Sequence, residues 1–67
     1  NMKIYNDRFA VIKSDFPMRF ISRDGYFQDE LNEKCIFGNA ESANKFREEC
    51  DEPEEYRVIK VVVTYEI

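Results

Sequence analysis

The chain has no histidine and no tryptophan, and only two residues each of cysteine, glycine and proline among its 67. Without histidine, Ser14, Ser22, Ser42, Cys35 and Cys50 have no imidazole base to activate them as nucleophiles. A metal site would need thiolates and carboxylates alone, and two cysteines fall short of the four ligands of structural zinc. Gly25 and Gly38 stand singly, so no glycine-rich loop is available to cradle a phosphate. No apolar run approaches the roughly 20 residues of a membrane-spanning helix. No basic segment followed by an apolar one opens the chain, so no secretion signal is expected. Asn1 ahead of Met2 reads as a residue left by expression, with Met2 as the native start and a cytoplasm as the expected location. Carboxylates are abundant but unspecific without geometry to nominate an acid and a base. The expectation is therefore a protein that is not an enzyme and uses neither cofactor nor metal.

What is present is aromatic and charged. Six Phe and four Tyr argue for a folded core despite 36% charged residues. Sixty-seven residues make a single domain, 1–67. A domain this small is marginal alone and gains from a partner. The net charge of −4 is unevenly spread. Residues 1–28 carry five basic and three acidic side chains, whereas 29–56 carry three basic and ten acidic. Such asymmetry suggests an electrostatically specialised surface.

Arg57–Ile67 is dominated by β-branched residues and predicts a strand. Its side chains alternate between an apolar face (Ile59, Val61, Val63, Tyr65, Ile67) and a mixed one (Val58, Lys60, Val62, Thr64, Glu66). Lys3–Lys13 is apolar on both faces around Phe9–Ile12, as befits a strand inside a sheet, with Asn6-Asp7 as a breaking point. Ser14–Pro17 reads as a loop, Phe16 being pushed to extended geometry by Pro17. Asp24-Gly25 between β-rich runs predicts a two-residue hairpin turn with Arg23 opposite Tyr26. Cys35-Ile36-Phe37 predicts a short strand. Asn39 is placed to cap a helix over Ala40–Glu52, ending before Pro53. Ala40, Ala43, Phe46 and Cys50 would form its buried stripe, expected to lie on the Ile59/Val61/Val63/Tyr65 face of the last strand. Cys35 and Cys50 read as small core residues, since a reducing cytoplasm disfavours pairing. The expected fold is α+β, one helix packed on a small, mainly antiparallel sheet of about four strands, in the order β-β-β-α-β.

The densest charge is acidic: Glu48, Glu49, Asp51, Glu52, Glu54 and Glu55. Carboxylates at a helix C-terminus oppose the macrodipole at a cost of about 0.3–1 kcal/mol each before screening. A local rule broken without evident compensation marks a candidate functional surface. Glu41, Glu48 and Glu52 would share the helix face opposite the core stripe. The candidate partner-binding set is thus Glu41, Glu48, Glu49, Asp51, Glu52, Glu54 and Glu55. A second reading places Arg19, Arg23, Phe20, Tyr26 and Phe27 of the hairpin on single-stranded nucleic acid, although the overall charge repels phosphate. A third is self-association, with Val58 and Val62 suggesting a homodimer.

With these elements in place, the run Phe37-Gly38-Asn39-Ala40-Glu41-Ser42-Ala43-Asn44-Lys45-Phe46, the hairpin before it and the strand after it resemble very short, acidic accessory proteins of bacteriophages, the anti-CRISPR inhibitors among them. The resemblance spans Met18–Tyr65 and carries no active-site motif. It implies an inhibitor whose acidic surface occupies the basic groove of a host nuclease or other nucleic-acid-binding complex. Arg19 and Arg23 depart from a uniformly acidic mimic, so the acidic face would have to be local.

Overall fold

The computed structural model describes residues 2–15 and 17–67. The expected geometry of Phe16 lies outside them. Among the described residues there are four strands: β1 (Lys3–Lys13), β2 (Arg19–Ile21), β3 (Phe27–Gln28) and β4 (Tyr56–Glu66). One helix, α1 (Ala40–Glu48), lies between β3 and β4, with single 3-10 turns at Glu33–Cys35 and Pro53–Glu55. The sheet order is β3-β2-β1-β4, with every pairing antiparallel. The fold is the α+β arrangement expected, with the helix packed on the sheet.

β1 and β4 pair along their whole lengths in one unbroken register, from Lys3 opposite Glu66 to Lys13 opposite Tyr56. Backbone bonds continue the ladder beyond both ends. Met2 and Ile67 exchange N–H···O bonds of 2.8 and 2.9 Å, and Ser14 N donates to Glu55 O at 2.9 Å. Asn6-Asp7 does not break β1 as expected. Asp7 sits opposite Val62, and its carboxylate faces the Lys60 ammonium at 3.8 Å. The other edge of β1 is covered only in part. β2 pairs with Ile12 and Lys13, and Phe37 forms a two-bond bridge with Phe9 (3.0 and 2.7 Å). Residues 3–8 therefore form, with their β4 partners, a two-stranded arm, and the molecule measures 44 × 24 × 18 Å.

The core lies at the other end, under the helix. Val11, Ile21, Phe37 and Ala43 are buried, with Phe9, Phe46, Cys50, Tyr56 and Val58 packed around them. This corrects the expected helix face. Val11 opposes Val58, so α1 sits on the Tyr56/Val58 face, and the Ile59/Val61/Val63/Tyr65 face points away from it. Alternating side chains make the two faces exclusive. Phe37, pinned to Phe9, delivers the chain to the Val58 side.

Three local expectations also change. The hairpin loop is longer by one residue: Ser22 N donates to Tyr26 O and Gly25 N to Ser22 O, with Gly25 at φ +94°. That is a type I turn closed by a glycine bulge, which puts Ser22, not Arg23, opposite Tyr26. The Ser22 hydroxyl bonds Asp24 and holds that carboxyl below its ordinary pKa, helped by Lys34. Cys35-Ile36-Phe37 is not a strand. Asn32 caps a 3-10 turn through Lys34 N at 2.9 Å, and Phe37 alone pairs with β1. The helix begins as expected, Asn39 Oδ1 accepting from Ser42 N at 2.7 Å, but ends at Glu48 rather than Glu52. Arg47 Nη1 donates to Pro53 O at 2.9 Å, which folds the following residues back over the last turn. Ala40 is exposed; Ala43 and Phe46 supply the helix's contribution to the core.

Candidate functional site

Ending the helix early separates the candidate acidic residues into distinct roles. Glu41 lies in the first turn, where a carboxylate favours the dipole. Seven residues along, Glu48 is about 10 Å away on the axis. Glu52 is outside the helix, so the row expected of Glu41, Glu48 and Glu52 does not form. Glu55 is engaged by Lys13 at 3.7 Å. Glu48, Glu49, Asp51, Glu52 and Glu54 remain, all exposed, along the connection from α1 to β4. Asn44 Nδ2 donates to Glu48 Oε1 at 3.0 Å and orients that carboxylate without neutralising it.

Glu52 is the strained member. Its φ of 55° places a non-glycine residue in the left-handed region. Its pKa is raised, chiefly by hydrogen bonding to Glu55 and then by repulsion from the same group. For an acid raised in the folded state, the contribution to stability is full in acid and lost as pH rises through the raised value. Glu52→Gln should therefore be more stable than the parent at neutral pH and converge with it below the ordinary carboxylate range. Glu52→Gly relieves the backbone as well and should raise the melting temperature by roughly 4–8 °C. Thermal melts at pH 7 and pH 3 check both; a Gly variant that melts at or below the parent would contradict the strain.

Beside the acidic connection lies an open cleft of about 350 Å³. Ile21, Phe27, Phe46 and Tyr56 form its walls, and Glu49 and Asp51 stand among its lining residues. Cys50 also lines it, as a free thiol donating to Phe46 O at 3.4 Å. Partial burial, and then the Asp51 charge, push its pKa up, which makes it a poor nucleophile. Cys35 is free and buried. Among the described residues, no group of three or more Cys, Asp or Glu side chains is arranged to hold a metal ion, and no helix is long and apolar enough to cross a membrane.

The basic hairpin is committed internally. Phe27 stacks on Tyr56 with centroids 6.4 Å apart, while the Arg19 guanidinium lies 4.5 Å and the Lys13 ammonium 5.6 Å from the Phe27 centroid. Arg23 Nε and Nη2 donate to the carbonyls of Lys34 and Glu33 at 3.3 and 3.2 Å, tying the hairpin to the following loop. Arg19 and Arg23 are thus spent on the fold. Phe20 faces the other side of the sheet, opposite Ile12, and Tyr26 is exposed at the loop. The cleft escaped the sequence reading because its walls come from four elements, β2, β3, α1 and β4, and no local pattern links Ile21, Phe27, Phe46 and Tyr56. Comparison with protein-family models, with curated proteins and with solved structures finds no match.

Proposed function

We propose that this chain is an interaction protein of phage type, whose acidic α1–β4 connection docks on the basic surface of a host nucleic-acid-binding complex and blocks it. The supporting observation is the set Glu48, Glu49, Asp51, Glu52 and Glu54, exposed together along the α1–β4 connection, with Glu48 and Glu49 at the helix end where their charge opposes the dipole. Lys13, which pairs with Glu55, and Arg47, bonded to Asn44 and the Pro53 carbonyl, already have partners of their own. A basic groove would supply the missing counter-charge, speeding association at low salt and weakening as salt rises. The direct nucleic-acid reading loses ground, because Arg19 and Arg23 are held within the fold.

The triple variant Glu48→Gln, Glu49→Gln and Asp51→Asn tests the proposal. Its stability should match or exceed the parent's, since the dipole conflict is relieved. Inhibition of guided DNA cleavage by a CRISPR nuclease, assayed at physiological salt, should fall about tenfold or more, the scale at which charge pairs across interfaces act. A triple variant that inhibits as the parent does, or a parent that never inhibits, would refute the reading.

A further inference from the structure

We propose that β4 pairs edge to edge with β4 of a second copy, antiparallel about Val63, joining two sheets into one of eight strands. The inference does not depend on the acidic connection. It starts from the direction of the backbone groups. Met2 with Ile67 and Ser14 with Glu55 are bonded at the two ends of a bulge-free ladder. Bonded and non-bonded pairs alternate in such a ladder. The odd-numbered residues of β4 therefore turn their N–H and C=O groups to β1, and the even-numbered ones turn theirs outward. The bridge to Phe37 confirms the phase, because Phe9, opposite Lys60, bonds away from β4. Val58, Lys60, Val62, Thr64 and Glu66 thus present a row of outward backbone donors and acceptors, with no proline to interrupt it. Among the described residues, no other strand lies on that edge. The opposite edge of the arm is partly closed, by Phe37 at Phe9 and by Arg8 Nη1 on the Asp7 carbonyl at 2.8 Å.

Charge and shape choose a second copy and one register. A two-fold axis normal to the sheet requires even residues to meet even ones. Centred on Val63, Lys60 opposes Glu66 of the second copy and Val62 opposes its Thr64, each twice by symmetry. About eight backbone bonds form, two per bonded pair. On the other face Val63 meets its own copy, Val61 meets Tyr65 and Ile59 meets Ile67. Val62, Tyr65 and Ile67, now 56%, 50% and 70% exposed, would all gain neighbours. Centring instead on Val61 or Val62 leaves Lys60 beside valine or threonine and Glu66 beside tyrosine or valine. Lysine on an edge strand ordinarily deters pairing; here the Lys60 ammonium, which faces Asp7 of its own copy at 3.8 Å, would also stand opposite the Glu66 carboxylate of the second. Of the two modes of self-association expected from Val58 and Val62, sheet stacking and edge pairing, only the second is open here, since Val58 is packed under the helix.

Mixing of charge variants tests the register without relying on any one variant's stability. The parent should scatter light at twice 8.1 kDa in the micromolar to millimolar range. Lys60→Glu alone and Glu66→Lys alone place like charges at both seams and should dissociate at least tenfold more readily. An equimolar mixture restores two opposite pairs and should recover the dimer. Val63→Cys, in a Cys50→Ser background, should cross-link to itself under mild oxidation, since facing residues of a non-bonded pair lie about 4.5 Å apart. Val61→Cys should not, being offset by four residues, roughly 13 Å, from its own copy. A parent that stays at 8.1 kDa to millimolar concentration, a mixture no more dimeric than its components, or equal cross-linking at both positions would overturn the proposal.

Discussion

Phe37→Ala is expected to cost about 3–5 kcal/mol, enough to leave the domain largely unfolded at 25 °C. Phe37 is 8% exposed and belongs to the core with Val11, Ile21 and Ala43. Its ring packs against that of Phe46, with centroids 5.4 Å apart and a 46° tilt. Its backbone is fixed to Phe9 from both sides, so the chain cannot move in to fill the space a truncated side chain leaves. A domain of this size has few other buried residues to fall back on. Phe46→Ala should cost less, because Phe46 is only partly buried. Urea unfolding followed by circular dichroism provides the measurement. A midpoint for Phe37→Ala within error of the parent's would mean that the core has been misplaced.

Gly25→Val is the second large effect, expected at about 2 kcal/mol or more from backbone strain alone. A Cβ at Gly25 would meet nothing within 4 Å, so crowding plays no part in the cost. What a β-branched residue cannot tolerate is φ +94°. Gly25→Asn should cost much less, asparagine being the residue that best accepts positive φ after glycine. Asp24 distinguishes this turn from the two-residue alternative. In a type I′ turn both central residues need positive φ, and Asp24→Gly would help. In the observed turn Asp24 has negative φ and accepts from Ser22, so Asp24→Gly should destabilise. Thermal melts of the three variants decide the matter, and a stabilised Asp24→Gly would restore the shorter turn.

Much of the architecture was legible because the local signals agreed with the global fold. Apolar residues on both faces of Phe9–Ile12 marked β1 as an interior strand, and Asn39 announced the helix start. Other features depend on contacts distant in sequence. Both faces of Arg57–Ile67 carry valine, and only the Phe37–Phe9 bridge decides which one the helix covers. The helix end follows from the bond between Arg47 and the Pro53 carbonyl, which periodicity does not reveal. Within the candidate site, the acidic run was visible by composition, but the separate roles of Glu41 and Glu55 and the exclusion of Glu52 from the helix were not.

The pairing of the first strand with the last has a kinetic consequence. Lys3 and Glu66 must find one another across nearly the whole chain before the longest ladder can close. Folding dominated by such non-local contacts is slow for a domain of its length, on the order of milliseconds to seconds. On the ribosome β1 is made well before β4, so Phe9 and Val11 wait beside an open strand edge until the β1–β4 ladder can form. During that interval β1 is a template for any other extended chain nearby. Abundance in the cell would then depend on how quickly β4 follows, and a pause in synthesis between α1 and β4 would lower yield without altering the native state.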